Sequence, residues 1–394
     1  MIYLAGIIAY LLLLAGVAVY KSRQVMTQSD FALAGRSLSP WIVVMTMLAV
    51  WIGTGSIVGN AGKSAETGIA AVLLPLGTFF GMIVLSFIAT KARDINVSSI
   101  PELIGNRFGQ TARALAVIAL ILAYLVIVSY QFMAGGFVLE VITDQQLSSG
   151  WATVIAAIFI ILFTVMAGLM SLAYTDIITG IIIIGSLLIA CPVLLFKAGG
   201  LSGMSEAFAA MGKPEHMQVF GVYSGFDIIN FILPVFLLIM GDANQYQRIF
   251  ASRSGQGARQ AVVVLIVLAF VIEALIIICA WIASSITPDD ATNKYILIYA
   301  AKNFMPLILG VIFLICVVGI IVSTANSFLL VPATTFVKDV YLNFINPNLD
   351  ENDKKVVLIS RSIVVLFGIL ALGVAFIFKN STSVFERALY AYTI

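Results

Sequence analysis

Long apolar runs follow one another along almost the whole chain, and they limit its possible folds more than any other feature. Residues 2–20 and 177–196 are two such runs, each close to the roughly 20 residues that cross a bilayer core as a helix. Backbone groups find no water in hydrocarbon, so these runs must be helical. The chain is 61% hydrophobic and 10% charged, whereas about a quarter of the residues in a soluble domain are charged. We therefore predict an all-α, polytopic membrane protein.

Ten segments are expected to cross the membrane, and no linker or low-complexity stretch divides them. They are residues 2–20, 41–62, 68–90, 112–142, 151–170, 173–196, 225–250, 257–286, 304–336 and 356–378. An eleventh begins around Val384 and is cut off at Ile394, so we expect the C-terminus to be truncated in the eleventh helix. The sequence thus predicts a single transmembrane domain over residues 1–394.

Successive connections between the segments are alternately rich and poor in basic residues. Lys and Arg concentrate in cytoplasmic loops, and most of the 21 fall in inside connections when the N-terminus is placed outside. We therefore expect a multi-pass protein of the plasma or bacterial inner membrane, surrounded by lipid, with its N-terminus outside. The net charge of +2 gives no electrostatic reason to expect nucleic acid as a partner.

Two of the segments are interrupted near the depth where a spanning helix usually carries Leu and Ile. Residues 51–55 read Trp-Ile-Gly-Thr-Gly, and residues 240–244 read Met-Gly-Asp-Ala-Asn. These are the second and seventh of the predicted segments. Because each segment crosses in the direction opposite to the one before it, the two run in opposite directions. Such a pair in two halves of a chain indicates an inverted-repeat transporter with its binding site at the breaks. The alternative is that the glycines only allow close helix packing.

Five polar residues inside the segments are candidates for function. Asp176, Asp242 and Glu273 are ionisable, and ionisable groups within a membrane are costly unless they have a function. Asp176 and Asp242 could instead face water at helix ends, and Glu273 could be a protonated packing residue. Ser323 and Thr324 offer adjacent hydroxyls that could hold sodium, since hard cations favour oxygen ligands. The alternative is that they bond back to their own helix.

The whole chain resembles the sodium:solute symporter family, whose known folds are of the LeuT type with one extra N-terminal helix. The matching stretches are residues 33–38, 173–176, 247–248, 323–324 and 338–341. Within that family, residues 51–55 and 173–176 are most similar to the choline transporter branch. The resemblance implies a LeuT-type 5+5 inverted repeat. Its parts would be an extra helix and loop at 1–36, a first repeat at 41–196 and an incomplete second repeat at 224–394.

The resemblance also implies Na⁺ as the coupling ion. Ligands of the main sodium site would be the carbonyls of Ala49, Ile52 and Ile320 and the hydroxyls of Ser323 and Thr324. The family usually has Ala at position 320, but a carbonyl ligand does not depend on its side chain. Some members hold a second sodium, and the matching residues here are Asp176, Asn326 and Ser327, with Asn in place of the usual Ser.

A small organic solute is expected to bind between the two breaks, and an amine or quaternary ammonium compound fits the residues there. Trp51 could hold a cationic head by cation–π attraction, although it could also be a packing residue. Asp242 stands where the choline branch has Trp, and its charge would balance that of an amine. The expected substrate-binding residues are Trp51, Gly53, Thr54, Gly55, Tyr130, Gln131, Asp242 and Asn244.

These features together predict a sodium-coupled secondary active symporter that works by alternating access. A symporter of a carboxylate or amino acid is an alternative, and so is a transporter-like membrane sensor. An enzyme is not expected, because the single histidine, His216, lies in a loop without a partnering motif. The sequence also lacks a nucleophile elbow and the spacing of zinc ligands.

Overall fold

The computed structural model describes residues 2–287, 295–351 and 353–378, which are almost entirely helical. The all-α prediction is confirmed, and the expected eleventh segment after Val384 lies outside the described residues. The α-helices are α1 (Ile2–Ser22), α2 (Gln28–Leu33), α3 (Pro40–Trp51), α4 (Ala61–Thr67), α5 (Leu76–Asp94), α6 (Ile100–Phe108), α7 (Gln110–Ile142), α8 (Ser149–Lys197), α9 (Gly200–Ala210), α10 (Gly225–Gly241), α11 (Ala243–Ala251), α12 (Gly255–Ser285), α13 (Ile296–Asn303), α14 (Leu307–Thr335) and α15 (Lys354–Ile377).

Eight stretches within the described ranges are long and apolar enough to cross a membrane, and a bent pair beginning with α3 makes a ninth. Helix α8 contains 49 residues, more than twice the roughly 20 of one span. It turns at Gly168, whose φ of 60° and ψ of 172° are not helical. The predicted segments 151–170 and 173–196 are therefore the two arms of α8, with the boundary slightly earlier than expected.

Glycine is required at that turn for two reasons. A positive φ is readily adopted only by glycine, and a Cβ at Gly168 would lie 2.8 Å from Cδ2 of Phe31. The ring of Phe31 is fully buried against this position. The turn thereby fixes where the second arm of α8 begins, and that arm carries Asp176.

Helix α14 lies at the centre of the molecule. In the most apolar 18-residue stretch of the span that begins with α14, 72% is buried inside the protein. The corresponding value for α1, at the N-terminus, is 22%. It packs against α8, α7, α1 and α3. Because α14 is surrounded by other helices, its polar residues face protein and not lipid.

Both predicted interruptions are present. Helix α3 ends at Trp51, and Ile52 takes an extended conformation with ψ of 95° before a π-helical turn at Gly55–Asn60. The two halves of this span are bent by 49°. Helix α10 ends at Gly241, and Asp242 is extended, with ψ of 104°, before α11 begins.

Backbone hydrogen bonds tie the two broken spans together at one end. The amide of Leu38 donates to the carbonyl of Ala251 (3.1 Å), and the amide of Arg253 donates to the carbonyl of Leu38 (3.0 Å). The beginning of α3 therefore meets the end of α11, so the broken spans run antiparallel, as expected. The division into repeats at 41–196 and 224–394 remains a prediction.

Candidate functional site

Two hydroxyls of α14 face backbone carbonyls at the first break. Ser323 Oγ lies 3.4 Å from the Ala49 carbonyl oxygen. Thr324 Oγ1 lies 3.4 Å from the same oxygen and 3.3 Å from that of Ile52. Ile320, one turn before Thr324 on α14, is fully buried. Four of the five oxygens expected to bind sodium are thus close together inside the protein.

The carboxylate of Asp176 supports this cluster from α8. Ser323 Oγ donates to one of its oxygens at 2.5 Å, and the hydroxyl of Thr46 donates to the other. Asp176 is buried, so it is not a water-facing residue at a helix end. The sequence suggested no role for Thr46, because nothing in its apolar surroundings distinguishes it.

The three residues expected to form a second sodium site do not share hydrogen bonds with one another. Asn326 Oδ1 accepts a bond from Thr164 Oγ1 at 2.7 Å, and Ser327 Oγ is 2.5 Å from Nη2 of Arg248. Asp176 contacts Ser323 instead, as described above. The structure thus brings Asp176 to the main cluster and gives Asn326 and Ser327 other partners.

Arg248 is fully buried beside the second break. Its guanidinium donates to the carbonyl and side-chain oxygens of Asn244 at 3.3 and 3.2 Å. It also interacts electrostatically with Asp176 and Asp242. Two carboxylates and one guanidinium leave a net charge of −1 in the interior when all are ionised. Buried charge needs compensation, and a monovalent cation would supply it.

A cavity of about 690 Å³ lies next to the ion cluster, between the two breaks. Six of the eight expected substrate-binding residues line it: Trp51, Gly53, Gly55, Tyr130, Gln131 and Asp242. The other two, Thr54 and Asn244, are buried behind its wall. The hydroxyl of Thr54 donates to the side-chain oxygen of Gln131, and Asn244 accepts from Arg248. These two residues therefore hold lining or neighbouring groups in place.

Tyr124 is a cavity residue that the sequence analysis missed. Its hydroxyl donates to Asp242 Oδ1 at 2.8 Å, and the amide of Asn244 donates to the same oxygen at 3.0 Å. Asp242 is thus the N-cap of α11, where a side-chain oxygen satisfies a free amide. Helical periodicity places Tyr124 on the same face as Gln131, seven residues later, and that spacing could have identified it.

Glu273 also lines the cavity, and its hydrogen-bond partners lie on the first broken span. Ser56 Oγ donates to its Oε1 at 2.5 Å, and Asn60 Nδ2 donates to its Oε2 at 3.2 Å. Ser56 and Asn60 lie on the π-helical turn after the first break. Glu273 therefore links α12 to the broken span, and it lines the cavity together with both of these residues.

Gly53 lies next to both the ion cluster and the cavity, and substituting it tests how close the two are. A Cβ here would lie 3.2 Å from Thr324 Oγ1 and 3.3 Å from Gln131 Nε2. We expect Gly53→Ala to displace the Thr324 hydroxyl and weaken sodium binding about tenfold, as the loss of a ligand-positioning contact does. Sodium titration of thermal stability measures this. Gly16→Ala is the control, because a Cβ at Gly16 has no atom within 4 Å. An equal sodium affinity in both variants would contradict the prediction.

His216 has a structural environment. It lies 5.0 Å from the ring of Phe208, and its carbonyl accepts a bond from Trp281 Nε1 at 2.9 Å. Burial lowers the pKa of His216 below its ordinary value, which favours the neutral imidazole. These contacts give His216 a packing role.

Curated relatives cover nearly the full chain at low identity. The sodium/pantothenate symporter of Escherichia coli (strain K12) is 22% identical over an alignment of 379 residues, which covers 93% of this chain and 77% of the relative. The high-affinity proline transporter of Bacillus subtilis (strain 168) is 25% identical over 390 residues, covering 94% and 79%. By their names these proteins transport pantothenate and proline. They do not support the expected similarity to the choline transporter branch.

A solved structure shows the same fold. It is the substrate-bound, outward-open state of a Na⁺-coupled sialic acid symporter, with a TM-score of 0.83 at 17% identity, covering 97% of this chain and 83% of that chain. The LeuT-type fold expected from the sequence is confirmed by such neighbours. The profile of the sodium:solute symporter family matches residues 31–394. The two broken spans, the hydroxyl pair of α14 and this match over nearly the whole length lead to one conclusion: the chain belongs to the sodium:solute symporter family.

Proposed function

We propose that this protein is a sodium-coupled symporter of a small organic cation. The observation that carries the proposal is the oxygen cluster at the first break. There, Ser323 and Thr324 face the Ala49 and Ile52 carbonyls. The buried charges of Asp176, Asp242 and Arg248 sum to −1 when ionised, so a monovalent cation would balance these three groups.

The spacing of these oxygens suits a hard cation. Ca²⁺ binds oxygen ligands at 2.3–2.6 Å, and we take about 2.4 Å for a monovalent hard cation of similar size. Two ligands at right angles around such an ion are about 3.4 Å apart. The distances across the cluster are 3.3 and 3.4 Å. Sodium could therefore enter with little movement of α14 relative to the break, once the hydroxyl hydrogens turn away.

The cavity lining favours a positively charged solute. It contains the carboxylates of Asp242 and Glu273 and the indole of Trp51, and no Lys, Arg or His is among its lining residues in the described part of the chain. An indole face attracts cations, whereas a carboxylate solute would meet like charge. These observations favour an amine or quaternary ammonium compound over a carboxylate or amino acid.

The first break contacts both the ion cluster and the cavity, and this position would couple sodium binding to solute binding. The carbonyl of Ile52 faces the ion cluster, while its neighbours Trp51 and Gly53 line the cavity. Sodium at the cluster would hold the break in one arrangement and so preform the solute site. Each sodium that enters contributes about 2.3 kcal/mol per 100 mV of membrane potential to solute accumulation.

We also propose the orientation of the protein in the membrane. It lies in the plasma membrane or the bacterial inner membrane, and its N-terminus is on the outer side.

Uptake into proteoliposomes tests the proposal. The purified protein is reconstituted, and accumulation of radiolabelled amines, amino acids, sugars and carboxylates is measured with and without an inward sodium gradient. We expect an amine to accumulate only with the gradient. Uptake that ignores sodium would overturn symport, and solute binding without uptake would favour a membrane sensor.

A further inference from the structure

Glu273 is a buried carboxylate that forms no ion pair with a cationic side chain in the described part of the chain. It is 2% exposed, and its two oxygens accept bonds from the neutral groups of Ser56 and Asn60. An ionised carboxylate only accepts hydrogen bonds, so this arrangement fits the charged form. No ion pair within the described ranges includes Glu273.

A second carboxylate of the cavity, Asp242, differs in both respects. It caps α11 and accepts a bond from Tyr124. It also interacts electrostatically with Arg248. Its charge therefore has a structural role and a basic neighbour. Removing one partner of a buried charge pair is strongly destabilising because the other charge is left alone. Of the two carboxylates, Glu273 is the one without a counter-charge among the residues that the structure describes.

Glu273 lines the cavity, and a counter-charge could reach it from there. The cavity volume of about 690 Å³ is within the range of small-molecule sites, which bind ligands through a few fixed polar groups in a mostly apolar lining. Trp51, on the same broken span as Ser56, also lines it. A cationic nitrogen in this space could meet both a carboxylate and an indole face.

We propose that Glu273 binds the positively charged nitrogen of the transported solute, with Ser56 and Asn60 as the residues that orient its carboxylate. This inference rests on the proposed function, since it names the group that selects the solute. It also assigns to Glu273 the counter-charge that was expected at Asp242. Because Ser56 and Asn60 belong to the π-helical turn Gly55–Asn60, a solute at Glu273 would act directly on the span that also faces sodium.

The test is thermal stabilisation of the full-length purified protein in sodium chloride. The probes are methylamine, ethanolamine, putrescine and choline, each compared with a neutral counterpart such as 3,3-dimethylbutan-1-ol for choline. We expect at least one cation, and not its neutral counterpart, to stabilise the wild type. Glu273→Gln keeps the size of the side chain, and its amide oxygen can still accept one of the two hydrogen bonds from Ser56 and Asn60. It should weaken binding of that cation roughly tenfold or more, as the loss of one buried charge partner does. Its stabilisation by sodium alone should remain.

Two further variants separate recognition from folding. Glu273→Asp keeps the charge and should retain more of the cation affinity than Glu273→Gln. Glu206→Gln makes the same chemical change at an exposed position on α9 and should leave binding unchanged. A wild type that no cation stabilises, or equal cation affinity in wild type and Glu273→Gln, would overturn the assignment.

The sodium response distinguishes the two proposals. If Glu273→Gln loses stabilisation by sodium instead of by the amine, Glu273 is part of an ion site and the solute assignment is wrong. If the wild type itself shows no response to sodium, the proposed symport fails. If sodium stabilises the wild type and only neutral or anionic solutes add to that effect, symport stands and the role of Glu273 falls.

Discussion

Replacing Ser323 and Thr324 together by alanine is expected to abolish the response to sodium. The change removes both side-chain oxygens that face the Ala49 and Ile52 carbonyls. Loss of an outer residue that merely orients a metal ligand costs about 10–100-fold in affinity, so loss of two ligands should cost more. Sodium-dependent stabilisation and sodium-driven uptake measure the effect, with potassium in place of sodium as the baseline.

Thr334→Ala is the matched control for this double variant. Thr334 is buried on the same helix, but its hydroxyl donates to the carbonyls of Leu330 and Val331 within α14, both at 3.0 Å. We expect this variant to keep a normal sodium affinity. If the double alanine variant also kept it, the ion site at the first break would be wrong.

Replacing Asp339 by alanine is expected to lower the free energy of unfolding by about 3–5 kcal/mol, the typical cost of breaking a buried ion pair. Asp339 is fully buried just after α14. One of its oxygens accepts bonds from Arg113 at 2.5 and 2.6 Å, and the other accepts from Ser99 Oγ at 2.6 Å. The substitution leaves the buried guanidinium of Arg113 without its partner. Thermal or denaturant unfolding in detergent measures the loss.

The adjacent residue supplies the control. Lys338 pairs with Glu351 at the surface, and exposed pairs of this kind contribute about 0–1 kcal/mol. Lys338→Ala should therefore change stability by a small amount compared with Asp339→Ala. If the two variants lost similar amounts of unfolding free energy, burial would not explain the contribution of the Asp339 pair to stability.

The breaks and the hydroxyl pair could be predicted because they are local features. Gly53 and Gly241 interrupt apolar segments, and neighbouring polar residues reveal a helix that cannot be lipid-exposed there. Ser323 and Thr324 are adjacent on one segment. Their alternative, bonding back to their own helix, could not be excluded from sequence, because the choice depends on whether α14 lies at the centre or at the lipid surface.

The roles of the acidic residues could not be predicted in the same way. Glu273 was recognisable as costly within a membrane, but its partners Ser56 and Asn60 are 217 and 213 positions away. Asp176 was expected beside Asn326 and Ser327, and it contacts Ser323 and Thr46 instead. Ser323 precedes Asn326 and Ser327 by about one helical turn on a similar face of α14, so the height at which α8 packs against α14 decides which of them Asp176 meets.

The sequence by itself determined that the chain is a bundle of membrane helices with two antiparallel interruptions, because hydrophobicity and backbone hydrogen bonding act over one segment at a time. Only the tertiary structure decided which polar groups meet. The packing of α3, α8 and α14 brings Ala49, Asp176 and Ser323 together, and the packing of α12 against the broken span places Glu273 at the cavity. The physical reason is that a carboxylate a few ångströms from an interface can be a helix cap, an ion ligand or a free counter-charge, and its neighbours across that interface decide which.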